Sequence, residues 1–212
     1  MANSLEEVDD FVAQGANAVE ADLTFGSDGT PEKFYHGWWL CDCGRDCEKS
    51  TEATEYLSYL RDGVKKGTIP SKRMLNVILS VFETKDKDIL SGALDTLKKA
   101  GNSSLFLNHV GFDISGFALL STIASIYEEL GIWQHRWQGD GTSNCLIDVY
   151  WDVRTKAAVS RRTAANTTHD YVDKVYLWTV DRPYTMRRFL RLSLVDLVLV
   201  PVLKSPAVSI LH

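Results

Sequence analysis

Short apolar strands alternate with glycine-stopped helices along most of this chain, and that alternation limits the fold more than any other feature. Strand patterns fall at 18–25, 75–85, 106–112, 132–137, 174–180 and 195–200. Helical patterns fall between them, at 51–66, 88–100, 117–130, 145–157 and 185–192, with Gly67, Gly101 and Gly131 as stops. A further helix opens the chain: Ser4 and Glu7 form a capping box, Leu5, Val8, Phe11 and Val12 make its apolar stripe, and Gly15 ends it. Residues 26–50 and 160–169 read as loops. Parallel neighbours need a crossover, usually a helix, so this order predicts an α/β protein built on a parallel sheet.

The strand ends say where its chemistry lies. Residues two apart share a face of a strand. In the first strand Val19, Ala21, Leu23 and Phe25 therefore lie on one side, and Glu20, Asp22 and Thr24 on the other. In the second, Val77, Leu79 and Val81 share a face with Glu83 and Lys85. Later strands end near Trp137, Trp178 and Asp181. Polar groups gathered at the ends of parallel strands are the arrangement of a (β/α)8 barrel mouth. About six strands can be read, however, where a closed barrel needs eight and typically roughly 250 residues. The expectation is a single TIM-barrel domain over residues 1–212, in which either further strands have gone unread or the barrel is short of complete.

Two readings of Glu20 and Asp22 are open at this point. Two carboxylates on one face repel and lose hydration if enclosed, unless a hard cation such as Mg2+ sits between them. Alternatively the pair faces water from an edge strand. Taken singly, His36 also reads as a loop residue, Trp178 as strand packing and Lys85 as a solvated strand end.

The net charge of −5, with basic pairs scattered at 98–99, 161–162 and 187–188, argues against nucleic-acid binding. The most apolar stretch, 190–203, is interrupted by Arg191, Asp196 and Pro201, so no transmembrane segment is expected. The opening MANSLEEVDD is acidic where a secretory leader would be basic. Cys41, Cys43 and Cys47 crowd one turn, and Cys145 lies far away. Their C-x-C-x3-C spacing fits zinc poorly, and we read disulfides and an oxidising compartment instead.

Several motifs then coincide: E-A-D at 20–22, Y-H-G at 35–37, C-D-C-G-R-D-C at 41–47, V-F-E-T-K at 81–85, W-Q-G-D-G-T-S-N-C at 137–145 and V-Y-L-W-T-V-D at 175–181. Together they resemble the sphingomyelinase D (phospholipase D, dermonecrotic) toxins of spiders and ticks, relatives of the glycerophosphodiester phosphodiesterases. The resemblance implies a secreted, Mg2+-dependent (β/α)8 barrel. Such an enzyme removes choline from sphingomyelin and lysophosphatidylcholine at membrane surfaces and leaves a cyclic phosphate, a phosphorus–oxygen lyase reaction. By the same resemblance, Glu20, Asp22 and Glu83 are metal ligands, and His36 is one of two catalytic histidines. Asp42 and Lys85 support catalysis, and Lys85, Tyr176, Trp178 and Asp181 bind substrate. The disulfides implied are Cys41–Cys47 and Cys43–Cys145.

The departures matter as much. The family's other catalytic histidine ends a strand upstream of the residues matching 1–3, where this chain starts, and His109, His135, His169 and His212 match no such place. A further helix and strand of the family have no counterpart after Lys85. Glu83 replaces an aspartate, and Pro201 an asparagine. The expectation is impaired turnover, with an inactive relative that binds lipid or a host partner as the alternative.

Overall fold

The chain enters its fold through a capped helix. The Ser4 hydroxyl accepts the Glu7 N–H at 3.3 Å, and Glu7 Oε2 accepts the backbone N–H groups of Asn3 and Ser4 at 2.9 and 3.1 Å. This reciprocal cap starts α1 (Leu5–Ala13), and Gly15, at φ +90°, turns the chain out of it. A computed structural model describes residues 2–16, 18–27, 30–37, 47–69, 76–81, 110–114, 120–129, 131–141, 153–163, 172–178 and 197–198.

Beyond α1, in chain order, lie β1 (Ala18–Phe25), β2 (Pro31–Phe34), β3 (Thr51–Glu52), α2 (Ala53–Lys66), β4 (Asn76–Val81) and β5 (Val110–Ile114). They are followed by α3 (Leu120–Glu129), β6 (Arg136–Gly141), α4 (Val153–Thr163), β7 (Lys174–Trp178) and β8 (Leu197–Val198). All strands belong to one sheet in the order β3-β2-β1-β4-β5-β6-β7-β8. The ladder from β1 through β4 to β8 is parallel throughout, as the strand–helix alternation predicts. Strands β1, β2 and β3 add an antiparallel flap at one side. Among the described residues no pairing joins β8 back to the other end of the sheet.

Val19, Ala21 and Leu23, the apolar face of β1, are buried with Val8 of α1, Phe34 of β2 and Ala53, Tyr56, Leu57 and Leu60 of α2. Helical spacing in α2 puts Ala53, Tyr56, Leu57 and Leu60 on one stripe, which lies against the sheet. Leu57 and Leu60 each contribute about 1.5–3 kcal/mol by this burial. The Tyr56 hydroxyl donates to the Ala2 carbonyl at 2.5 Å, and Ala2 N–H donates to the Glu20 carbonyl at 2.6 Å. The first residues are thereby laid along β1.

The structure departs from the sequence expectation at several places. Residues 31–34, read as loop, form β2; only Phe34 of the four is buried, so no apolar alternation marks the strand. The second helix begins at Ala53 because Thr51 and Glu52 pair with Phe34 and Lys33. The strand expected at 132–137 starts at Arg136, since Ile132 closes α3 by donating its N–H to the Tyr127 carbonyl at 2.8 Å. The helix expected at 145–157 is seen from Val153 and runs to Thr163, into the stretch read as loop. The helices expected at 88–100 and 185–192 lie outside the described residues.

Candidate active site

The second face of β1 holds the acid pair. At Glu20 and Asp22, β1 pairs with β4 on one side and is covered by Ala2 and Asn3 on the other, so the acids do not face water; Glu20 is 7% exposed and Asp22 0%. That excludes the solvent-facing reading. Asp22 is gripped from two sides. Asn3 donates its side-chain amide to Asp22 Oδ2 at 3.0 Å, and its oxygen accepts the Asp22 N–H at 2.8 Å. The Asp22 carbonyl accepts the Tyr35 N–H at 2.8 Å, which brings the next residue, His36, to the same strand end.

Asp22 Oδ1, by contrast, is buried with no hydrogen-bond partner among the described residues. Burial, and after it the neighbouring charge of Glu20, pushes the Asp22 carboxyl up to about 7; the Asn3 hydrogen bond and His36 pull it back. A buried, partly unsatisfied carboxylate beside a second one is costly without a cation. The oxygen-only donors and the unmatched Oδ1 fit a hard divalent ion such as Mg2+. Among the described residues there is no cluster of three or more His, Cys, Asp or Glu side chains able to hold a metal. Glu83, the expected third ligand, lies outside the described residues.

His36 sits half-buried, its Nδ1 3.0 Å from the Gly37 carbonyl. A carbonyl only accepts, so this contact favours the tautomer with hydrogen on Nδ1, leaving Nε2 as the basic nitrogen. Gly37 makes the turn possible. It has φ +80°, and a Cβ there would lie 3.3 Å from the Tyr35 ring. Its N–H donates to the Cys47 carbonyl at 3.2 Å, tying the His36 segment to residue 47.

Strand register brings a further carboxylate to the site. Asp22 pairs with Ser80 of β4, and Ser80 with Asp113 of β5. Asp113 is 1% exposed. From β7, the buried Tyr176 hydroxyl reaches Asp113 Oδ2 at 2.5 Å and Glu20 Oε1 at 3.3 Å.

Glu20, Asp22, His36 and Tyr176 are therefore brought together. Trp178 ends β7. Cys47 is buried and is not a free thiol. Asp42, Lys85, Asp181, Cys41, Cys43 and Cys145 lie outside the described residues. Sequence reasoning missed Asn3 and Asp113. The rule that found Glu20 and Asp22 also puts Gly111 and Asp113 on one face, but the strand was expected to stop at Phe112. No described helix is long and apolar enough to cross a membrane.

Comparison with known proteins places this arrangement. The family described as dermonecrotic toxin SPH matches residues 1–73 and 65–202. Dermonecrotic toxin SPH of Ixodes scapularis is 34% identical over 233 aligned residues, which cover 90% of this chain and 64% of that protein. Dermonecrotic toxin LlSicTox-betaIA1 of Loxosceles laeta is 33% identical, with 91% of this chain and 75% of that protein covered. Among solved structures, a glycerophosphodiester phosphodiesterase of Parabacteroides distasonis superposes with a TM-score of 0.52 at 14% identity, covering 93% of this chain and 84% of that one. A Silicibacter pomeroyi protein assigned as a glycerophosphoryl diester phosphodiesterase gives a TM-score of 0.58 at 13% identity over the same shares. At such identities the superpositions speak for the fold alone, that of the phosphodiesterase TIM barrels. The match to the family over nearly the whole chain, and relatives a third identical, show that this protein belongs to the dermonecrotic toxin SPH family.

Proposed function

We propose that the chain is a secreted, Mg2+-dependent phospholipase D that releases choline from sphingomyelin and lysophosphatidylcholine at membrane surfaces. The observation that carries this reading is the buried Glu20–Asp22 pair, with its unmatched Asp22 Oδ1, beside His36. In the reaction, a hydroxyl of the lipid attacks phosphorus, the bond from phosphorus to the choline oxygen breaks, and the lipid keeps a cyclic phosphate. The attacking hydroxyl loses one proton and the departing choline oxygen gains one. His36 Nε2 carries one of those transfers, held in its tautomer by the Gly37 carbonyl. Glu20 and Asp22, with Glu83, hold the ion, which when bound offsets negative charge on the phosphoryl oxygens. Asp42 supports His36, Lys85 adds a positive point to the phosphate, and Tyr176, Trp178 and Asp181 line the substrate pocket. An aromatic face at Trp178 suits a quaternary ammonium. Bonds Cys41–Cys47 and Cys43–Cys145 would brace the loop that carries Asp42, worth a few kcal/mol in a loop-entropy account.

The test is choline release from sphingomyelin and from lysophosphatidylcholine, with Mg2+ and with chelator, beside a His36→Ala control. Metal-dependent release that the control loses is the expected result. No release from a chain that still melts cooperatively would overturn the enzymatic reading and leave a lipid-binding relative.

A further inference from the structure

We infer that Asp113 is a positioning residue: acting through the Tyr176 hydroxyl, it fixes the orientation of the Glu20 carboxylate in the metal site. This rests on the Mg2+ reading above. Three observations carry it.

The first is reach. Strand order is β1-β4-β5-β6-β7, so Tyr176 on β7 is separated from Asp113 on β5 by β6, and from Glu20 on β1 by β6, β5 and β4. Its hydroxyl nonetheless meets both carboxylates, at 2.5 and 3.3 Å. The second is room. Gly139 of β6 is the register partner of Tyr176. A Cβ on Gly139 would lie 2.4 Å from Cζ and 2.5 Å from the hydroxyl of Tyr176, closer than atoms pack. The phenol thus crosses β6 through the space a missing side chain leaves. The third is stakes. Glu20, Asp113 and Tyr176 are all buried, where a misplaced polar group is expensive.

A phenol has one proton to give. At 2.5 Å it belongs to Asp113, which sets the direction of the C–O bond and holds the ring across the sheet floor. The oxygen so fixed stands 3.3 Å from Glu20 Oε1 and limits the rotamers open to that side chain. Asn3 performs the matching service for Asp22 from the opposite side. Each member of the acid pair thus has a neighbour that limits its orientation, Asn3 for Asp22 and Tyr176 for Glu20. Partners of this kind typically govern metal affinity by on the order of 10–100-fold.

The experiment measures Mg2+ affinity by calorimetry on the full chain, with melting curves in chelator to show that each variant folds. Tyr176→Phe keeps the ring and loses the hydroxyl, and Asp113→Ala removes its anchor. Each is expected to raise the Mg2+ dissociation constant on the order of 10–100-fold. Asp113→Asn keeps an acceptor facing the phenol and is expected to stay within a few-fold of wild type. Gly139→Ala, which displaces the ring and its hydroxyl without removing a polar group, should match Tyr176→Phe. Equal weakening by Asn and Ala at position 113 would mean that charge alone matters, and would overturn the inference. Unchanged affinity in Tyr176→Phe, with wild type still binding Mg2+, would overturn it while leaving the metal reading intact. Absence of Mg2+ binding by the wild-type chain would overturn both.

Discussion

Asp22→Asn should make the metal-free protein more stable at pH 8, although it removes a residue from the heart of the site. The Asp22 carboxyl is raised from 3.8 to about 7, through burial first and Glu20 second. A group that holds its proton more tightly folded than unfolded favours the fold while protonated. That advantage drains away as pH rises from the unfolded value near 4 to the folded value near 7. Above pH 7 the folded chain carries a buried charge. Three pKa units at about 1.4 kcal/mol each put the cost on the order of 4 kcal/mol. Asparagine cannot ionise, so this loss vanishes. Its amide would keep the oxygen toward the Asn3 side chain and set an NH2 where Oδ1 now lacks a partner, costing about 1–3 kcal/mol if unsatisfied. A net gain of roughly 1–3 kcal/mol at pH 8 remains after that subtraction. The assay is urea unfolding in chelator at steps from pH 4.5 to pH 8, wild type beside variant. Wild-type stability should fall across this window more steeply than that of Asp22→Asn. Added Mg2+ at pH 8 should restore the wild type and leave the variant unmoved. Parallel profiles for the two proteins would refute the assignment of the buried charge to Asp22.

Other expectations are simpler. His36→Ala should cut choline release on the order of 10²–10⁴-fold with little change in its melting curve, because its ring is only half-buried. Leu57→Ala, in the core that α2 shares with the sheet, should cost about 2–5 kcal/mol in denaturant unfolding. Ser4→Ala breaks one half of the capping box and should cost about 0.5–2 kcal/mol, read in the same experiment.

Glu20 and Asp22 were legible because a strand has only two faces, and the apolar residues Val19, Ala21 and Leu23 left one of them to the acids. Whether that face was wet was not legible. Burial depends on β4 pairing with β1 and on Ala2 and Asn3 folding back over it, and no local pattern encodes those neighbours. The helix caps at Ser4, Gly15, Gly67 and Gly131 were visible because capping chemistry is local. Strand β2 was invisible for the opposite reason: its pairing rests on backbone bonds to β1 and on a single buried phenylalanine. Asp113 was overlooked because its strand extends past an apolar run, so the polar residue looked like the start of a loop. Tyr176 came from family likeness alone. Its contacts with Asp113 and Glu20 depend on Gly139, whose lack of a side chain carries no signal in a hydropathy pattern.

The two halves of the acid-pair support differ sharply in how far apart their members stand in the chain. Asn3 and Asp22 are separated by 19 positions, whereas Tyr176 and Glu20 are separated by 156. Loop-closure entropy grows with the logarithm of that separation, so bringing Tyr176 home costs about 2 kcal/mol more than bringing Asn3 home. The order of assembly follows from this. In refolding, the α1–β1 corner with its grip on Asp22 can form early and locally, while the phenol arrives only after β5, β6 and β7 have taken their places. High-affinity Mg2+ binding should therefore be recovered late, behind the bulk of the helical signal. A refolding chain would pass through a stage in which the two acids are already side by side and only one of them is aimed.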